Sequence, residues 1–125
     1  MTRYDNSIRS RALLVAFAAG FFAVSAFAGA LEDAKAAFAA GKFGEVDDKL
    51  GSLLDKRPVP MEILKLSFDA SIKAGRPYTA ERRYTSMTEK GEALPTEVLF
   101  KAALISGEIG KPNVRRDRLI YFLKT

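Results

Sequence analysis

The sequence predicts an all-α chain: about three antiparallel helix hairpins stacked in order, an α-solenoid, behind an N-terminal signal helix. Three observations carry this. A glycine followed by a basic residue returns at Gly41-Lys42, Gly75-Arg76 and Gly110-Lys111, at intervals of 34 and 35 residues. That interval is the length of one helix–turn–helix unit, and such units stack because none can bury its apolar face alone. Between the glycines, apolar residues recur at steps of three and four, the period of a helix with one buried face. Ahead of the first unit lies a basic and then uncharged stretch with the form of an export signal.

The leader spans residues 1–28. Arg3, Arg9 and Arg11 precede an uncharged run from Ala12 to Ala30, which closes on Ala26-Phe27-Ala28 before Gly29. A basic flank, a short apolar core and a small-x-small end describe a secretory signal peptide. Cleavage is expected after Ala28, with Ala30 as the second choice. The other reading is an anchor: 19 uncharged residues are just enough to span a bilayer with little tilt. Gly20 and the many small residues between Ala18 and Ser25 favour cleavage.

The domain proper is 29–125. Leu31 to Ala40 reads as a helix with Leu31, Ala34, Ala37 and Phe38 on one face, ended by Gly41. Gly44 to Lys56 is its partner, striped by Val46, Leu50, Leu53 and Leu54. Pro58-Val59-Pro60 cannot continue it. Met61 to Ala74 is the most apolar helix, and Gly75 ends it. Pro77 opens the next, to about Lys90, with Tyr78, Ala80, Tyr84 and Met87 inward and Glu81, Arg82 and Arg83 facing water. Thr96 is the expected N-cap of a fifth helix running to Ile109. Pro112 opens the sixth, where Val114, Leu119, Ile120, Phe122 and Leu123 are apolar on a broad face. Solenoids usually end in a helix with a polar outer side, and this one has none. The two readings are self-association through this helix, or a chain that continues as part of a longer exported protein.

Composition narrows the function. The net charge is +5; Arg3, Arg9 and Arg11 against Asp5 place +2 of it in the leader and leave +3 for the domain. So small and dispersed an excess does not predict nucleic-acid binding. The chain has no Cys and no His, which excludes disulfides, thiolate catalysis and His-based metal sites. Its adjacent acidic pairs, Glu32-Asp33 and Asp47-Asp48, point in different directions on a helix and make no acid–base couple. No nucleophile-elbow or phosphate-cradling motif is present. The chain is therefore expected to be no enzyme and to use no cofactor or metal.

The units resemble the tetratricopeptide repeat family. Gly41, Phe43, Val46, Leu50, Leu53 and Pro58 occupy that family's trailing-helix positions in the first unit. Gly75, Pro77, Ala80, Tyr84 and Met87 do so in the second, and Gly110, Pro112, Arg115, Leu119 and Phe122 in the third. Arg115 stands where a small residue is expected. The resemblance implies a concave face lined by the leading helices. The residues matched to it are Lys35, Lys65, Asp69, Ile72, Phe100 and Leu104, flanked by Phe38, Glu62 and Glu97. Phe100 and Leu104 lie off the Val98–Ala102–Ile105 stripe, which marks them as partner anchors rather than core. The resemblance implies a non-catalytic scaffold that holds a peptide or partner helix of another protein, and the leader implies that it is exported, to the periplasm or beyond. The alternative is a membrane-tethered assembly factor with its leader uncleaved, the leader being the only part expected to touch a membrane.

Overall fold

Apolar side chains at helical spacing, interrupted by glycines and prolines, produce helices of about three turns. The computed structural model describes residues 27–125, and among them there is no strand. Helix α1 covers 27–39. A 3-10 turn, Phe43–Glu45, leads into α2 (Val46–Asp55). Then come α3 (Met61–Lys73), α4 (Pro77–Thr88), α5 (Thr96–Glu108) and α6 (Pro112–Leu123). The fold class is all-α. Of the leader, Phe27 and Ala28 are helical in α1, while residues 1–26 and the cleavage reading lie outside the described residues. No helix among the described residues is long and apolar enough to cross a membrane.

Three helix ends are built alike. Gly41, Gly75 and Gly110 have φ of 77°, 73° and 78°, the left-handed region that a Cβ disfavours. Each glycine donates its N–H to the carbonyl three residues back, on Phe38, Ile72 and Gly107, at 3.1, 3.1 and 3.2 Å. The next residue donates to Ala37, Ser71 and Ser106 at 2.9, 2.8 and 2.9 Å. This double closure satisfies carbonyls the helix end would leave bare and turns the chain back on itself. Pro77 and Pro112 then start the following helix, where a missing N–H costs nothing.

Three sequence expectations need correction. Tyr78, expected inward on α4, is 69% exposed, because it sits in the first turn beyond the reach of the packed helices. The helix expected from Gly44 to Lys56 begins instead as a 3-10 turn and is broken inside α2 at Gly51, whose φ of 8° and ψ of −93° are not helical. Glycine is a poor helix former, and two of them in this short stretch outweigh its apolar period. Thr96 is not an N-cap: Pro95 holds the cap position in an extended conformation, no side chain caps it, and Thr96 is already helical.

Each helix packs on the next: α2 on α3, α3 on α4, α4 on α5 and α5 on α6. One apolar cluster runs through them, including Ala34, Leu50, Ile63, Phe68, Met87 and Ile105. Helix α6 stands apart, because none of its residues is buried. Replacing Phe68, which is fully buried, by Ala should cost about 3–5 kcal/mol, a large share of the roughly 5–15 kcal/mol of a typical domain. Phe100→Ala should cost well under half as much, since that ring stays 41% exposed. Urea unfolding midpoints of the two variants check the contrast.

Candidate functional site

Polar side chains link helices two apart, in two rows. On the leading helices, Lys35 of α1 meets Glu62 of α3 at 3.1 Å. Lys65 of α3 meets Glu97 of α5 at 2.9 Å, and Asp69 of α3 meets Lys101 of α5 at 3.3 Å. Three of the predicted partner-binding residues, Lys35, Lys65 and Asp69, are thus engaged by neighbouring helices of the same chain. Donating to the Glu62 carboxylate raises the Lys35 pKa, and donating to Glu97 raises that of Lys65; Lys65 in turn lowers Glu97. These pairs are exposed and add little stability, but they neutralise the face they line.

The trailing row is more enclosed. Ser67 of α3 donates to Asp47 Oδ1 of α2 at 2.6 Å, and Arg83 Nε of α4 donates to the same hydroxyl at 2.8 Å. One hairpin later, both guanidinium nitrogens of Arg118 in α6 grip Glu81 of α4 at 2.7 and 2.6 Å. Arg118 also donates to the Ala102 carbonyl at 3.1 Å and to Ser106 Oγ, and it lies 4.5 Å over the Tyr84 ring. Glu81 and Arg118 are only 18% and 19% exposed. The expectation that Glu81 and Arg83 face water is therefore wrong; Arg82 is exposed as expected. Helix period alone placed them outside, but the neighbouring hairpin covers that side. A signal was present: acids stand six residues after the glycine at Asp47 and Glu81, and arginines eight after it at Arg83 and Arg118.

The remaining predicted residues divide. Ile72 is half-buried against the core. Phe100 and Leu104 are 41% and 44% exposed and sit one turn apart on α5. Phe100 packs against Phe122 of α6, with ring centroids 5.3 Å apart. On α6, Leu123 is 79% exposed. Sequence reasoning put Phe122 in the repeat core and did not join it to Phe100. Phe100, Leu104 and Phe122 thus leave apolar surface where α5 and α6 meet; Tyr121 turns instead to the cleft beside Tyr84 and Leu99.

Comparison with protein-family models, with curated proteins and with solved structures finds no match to this chain. The site is therefore read from its own chemistry. Among the described residues no group of three or more metal-ligating side chains gathers. The cleft lined by Tyr84, Leu99, Val114 and Arg118 measures about 240 Å³. That is small for a ligand site, and its one cation is already held by Glu81.

Two outcomes follow from this geometry. Arg118→Ala strands the Glu81 carboxylate and should cost about 2–3 kcal/mol, whereas Glu81→Met with Arg118→Leu should cost less than the single change. A double-mutant cycle by urea unfolding measures the coupling. Burial raises the Tyr84 pKa above the usual phenol range, as glutamate partners raise Lys35 and Lys65. Groups raised on folding stabilise below their unfolded values and lose that contribution as pH climbs through the folded ones. Glu97, lowered on folding, does the reverse on the acid side. The melting temperature should therefore be flat from about pH 5 to 10 and fall on both sides, and Tyr84→Phe should flatten part of the alkaline fall. Thermal melts followed by circular dichroism across that range check it.

Proposed function

We propose that this chain is a non-catalytic interaction module of the helical-repeat kind, three tetratricopeptide-like hairpins that hold a peptide or helix of another protein. The observation that carries this reading is the row of leading helices. Their charges are spent on one another, through Lys35–Glu62, Lys65–Glu97 and Asp69–Lys101, and the row ends in the exposed pair Phe100 and Leu104. Aromatic and aliphatic anchors within a polar rim are the usual source of binding energy at protein interfaces. The three like glycine closures and the order of helix contacts support the repeat reading. Export to the periplasm or beyond is proposed from the leader: three arginines, an apolar run and Ala26-Phe27-Ala28.

The test is affinity capture from envelope fractions with the tagged full chain. Phe100→Glu should lower recovery of the bound proteins by about tenfold, equivalent to about 1.4 kcal/mol, with helical circular dichroism retained. Lys65→Glu, which sets a second carboxylate beside Glu97, should lower it as well. Unchanged recovery with both variants defeats the reading.

A further inference from the structure

The three hairpins differ at one pair of positions. Ten and six residues before the closing glycine stand Leu31 and Lys35, then Lys65 and Asp69, then Phe100 and Leu104. In the first two hairpins the charged members reach the next leading helix, at Glu62, Glu97 and Lys101. The third presents two exposed apolar side chains at the same edge. The trailing helices repeat the contrast. Nine and twelve residues after the glycine stand Leu50 and Leu53, then Tyr84 and Met87, then Leu119 and Phe122. Leu50, Leu53 and Met87 are buried, while Tyr84, Leu119 and Phe122 are all half-buried, so only the third hairpin has neither position fully buried.

What fills the equivalent place earlier in the chain is known. Helix α3 lies against α2 and is tied to α1 by Lys35–Glu62. Helix α5 lies against α4 and is tied to α3 by Lys65–Glu97 and Asp69–Lys101. In both cases an amphipathic helix packs on the trailing helix of the preceding hairpin and reaches its leading helix through ion pairs. The groove between α5 and α6 has no such helix over it among the described residues.

Charge selects the occupant. Helix α6 and its flanks carry Lys111, Arg115, Arg116, Arg118 and Lys124 against Asp117 alone. Arg118 is already held by Glu81. Six residues after the glycine, where Asp47 and Glu81 engage the next trailing helix, the third hairpin has the exposed Arg116. An occupant lying here as α3 lies on α2 would meet a cation where Ser67 of α3 meets the Asp47 carboxylate. A second copy paired two-fold through this same edge would set its own cationic α6 against this one, and like charges across an interface oppose that pairing.

We propose that the α5–α6 groove binds an amphipathic helix of another protein, with an apolar stripe seated on Phe100, Leu104 and Phe122 and acidic residues facing Arg115 and Arg116. This rests on the interaction-module reading and narrows it to one groove and one ligand class. The occupant lies as α3 and α5 lie on their own preceding hairpins, so about two to three turns of helix are engaged.

The test uses two fluorescein-labelled peptides of about 16 residues, each with leucines at i, i+3, i+4 and i+7. One has glutamates on the flanking positions and the other lysines. Titrated by anisotropy against the full chain, the glutamate peptide should bind at micromolar order and about tenfold more tightly than the lysine one. Leu104→Glu should abolish the binding without loss of helical circular dichroism. Arg116→Glu, at an exposed position, should erase the preference between peptides. Equal affinities, or no binding of either, overturn the proposal. So does a dimer in sedimentation velocity that Leu104→Glu dissolves, which would make a second copy the occupant. If neither peptide binds yet capture still depends on Lys65, the groove falls and the module reading stands. If the glutamate peptide binds but capture ignores both Lys65→Glu and Phe100→Glu, the opposite holds.

Discussion

Three glycines held at φ of 73–78° are the constraint on which the rest depends. At that backbone angle the helix ends in a double hydrogen-bond closure and the chain reverses within a few residues. Because the reversals come at nearly equal intervals, a residue at a given offset from one glycine lies beside the residue at a similar offset from the next. Contacts between hairpins then become a matter of offsets. An acid six residues on reaches an arginine eight residues on in the following unit, in Asp47–Arg83 and again in Glu81–Arg118.

These linked pairs work differently from the apolar cluster they flank. Burial of Phe68, Leu50 and Ile63 supplies the bulk of the driving force, which is large and indifferent to direction. A partly enclosed Arg118–Glu81 pair adds little net energy against apolar residues of the same shape. It does penalise sliding, since a shift of one residue would leave a carboxylate and a guanidinium enclosed without partners. Hydroxyl and carbonyl acceptors from the intervening helix complete each pair, Ser67 in one case and Ala102 with Ser106 in the other. Ser67 and Ala102 both stand eight residues before their glycines, so the same place in the hairpin serves both.

The third hairpin departs from the first two at several points that are physically connected. Arg115 occupies the position of the buried Val46 and Ala80, and its side chain lies over Gly107, where a built Cβ would come within 2.8 Å of it. Room for the arginine therefore depends on the glycine opposite. The leading edge changes from charged to apolar at Phe100 and Leu104, while the trailing helix turns cationic. The array is thus polar and self-neutralised along its leading helices, and apolar with a cationic border at its third hairpin.

Much of the architecture was legible before any coordinates. Glycines free to take positive φ, prolines suited to first turns and apolar steps of three and four act locally, so they reveal helices and their ends without knowledge of neighbours. Where local rules competed, at Gly44 and Gly51 in α2 and at Thr96 behind Pro95, the reading slipped. The exposed character of Phe100 and Leu104 was also readable, because both lie off the apolar stripe of their own helix. The sequence by itself determined that these residues form helices, where most of them end, and which face of each is apolar. Only the tertiary structure decided that Glu81 and Arg83 are enclosed, that Lys35, Lys65 and Asp69 are already paired, and that Phe122 joins Phe100. Each of these depends on a helix 16 or more residues distant, whose approach no local period encodes.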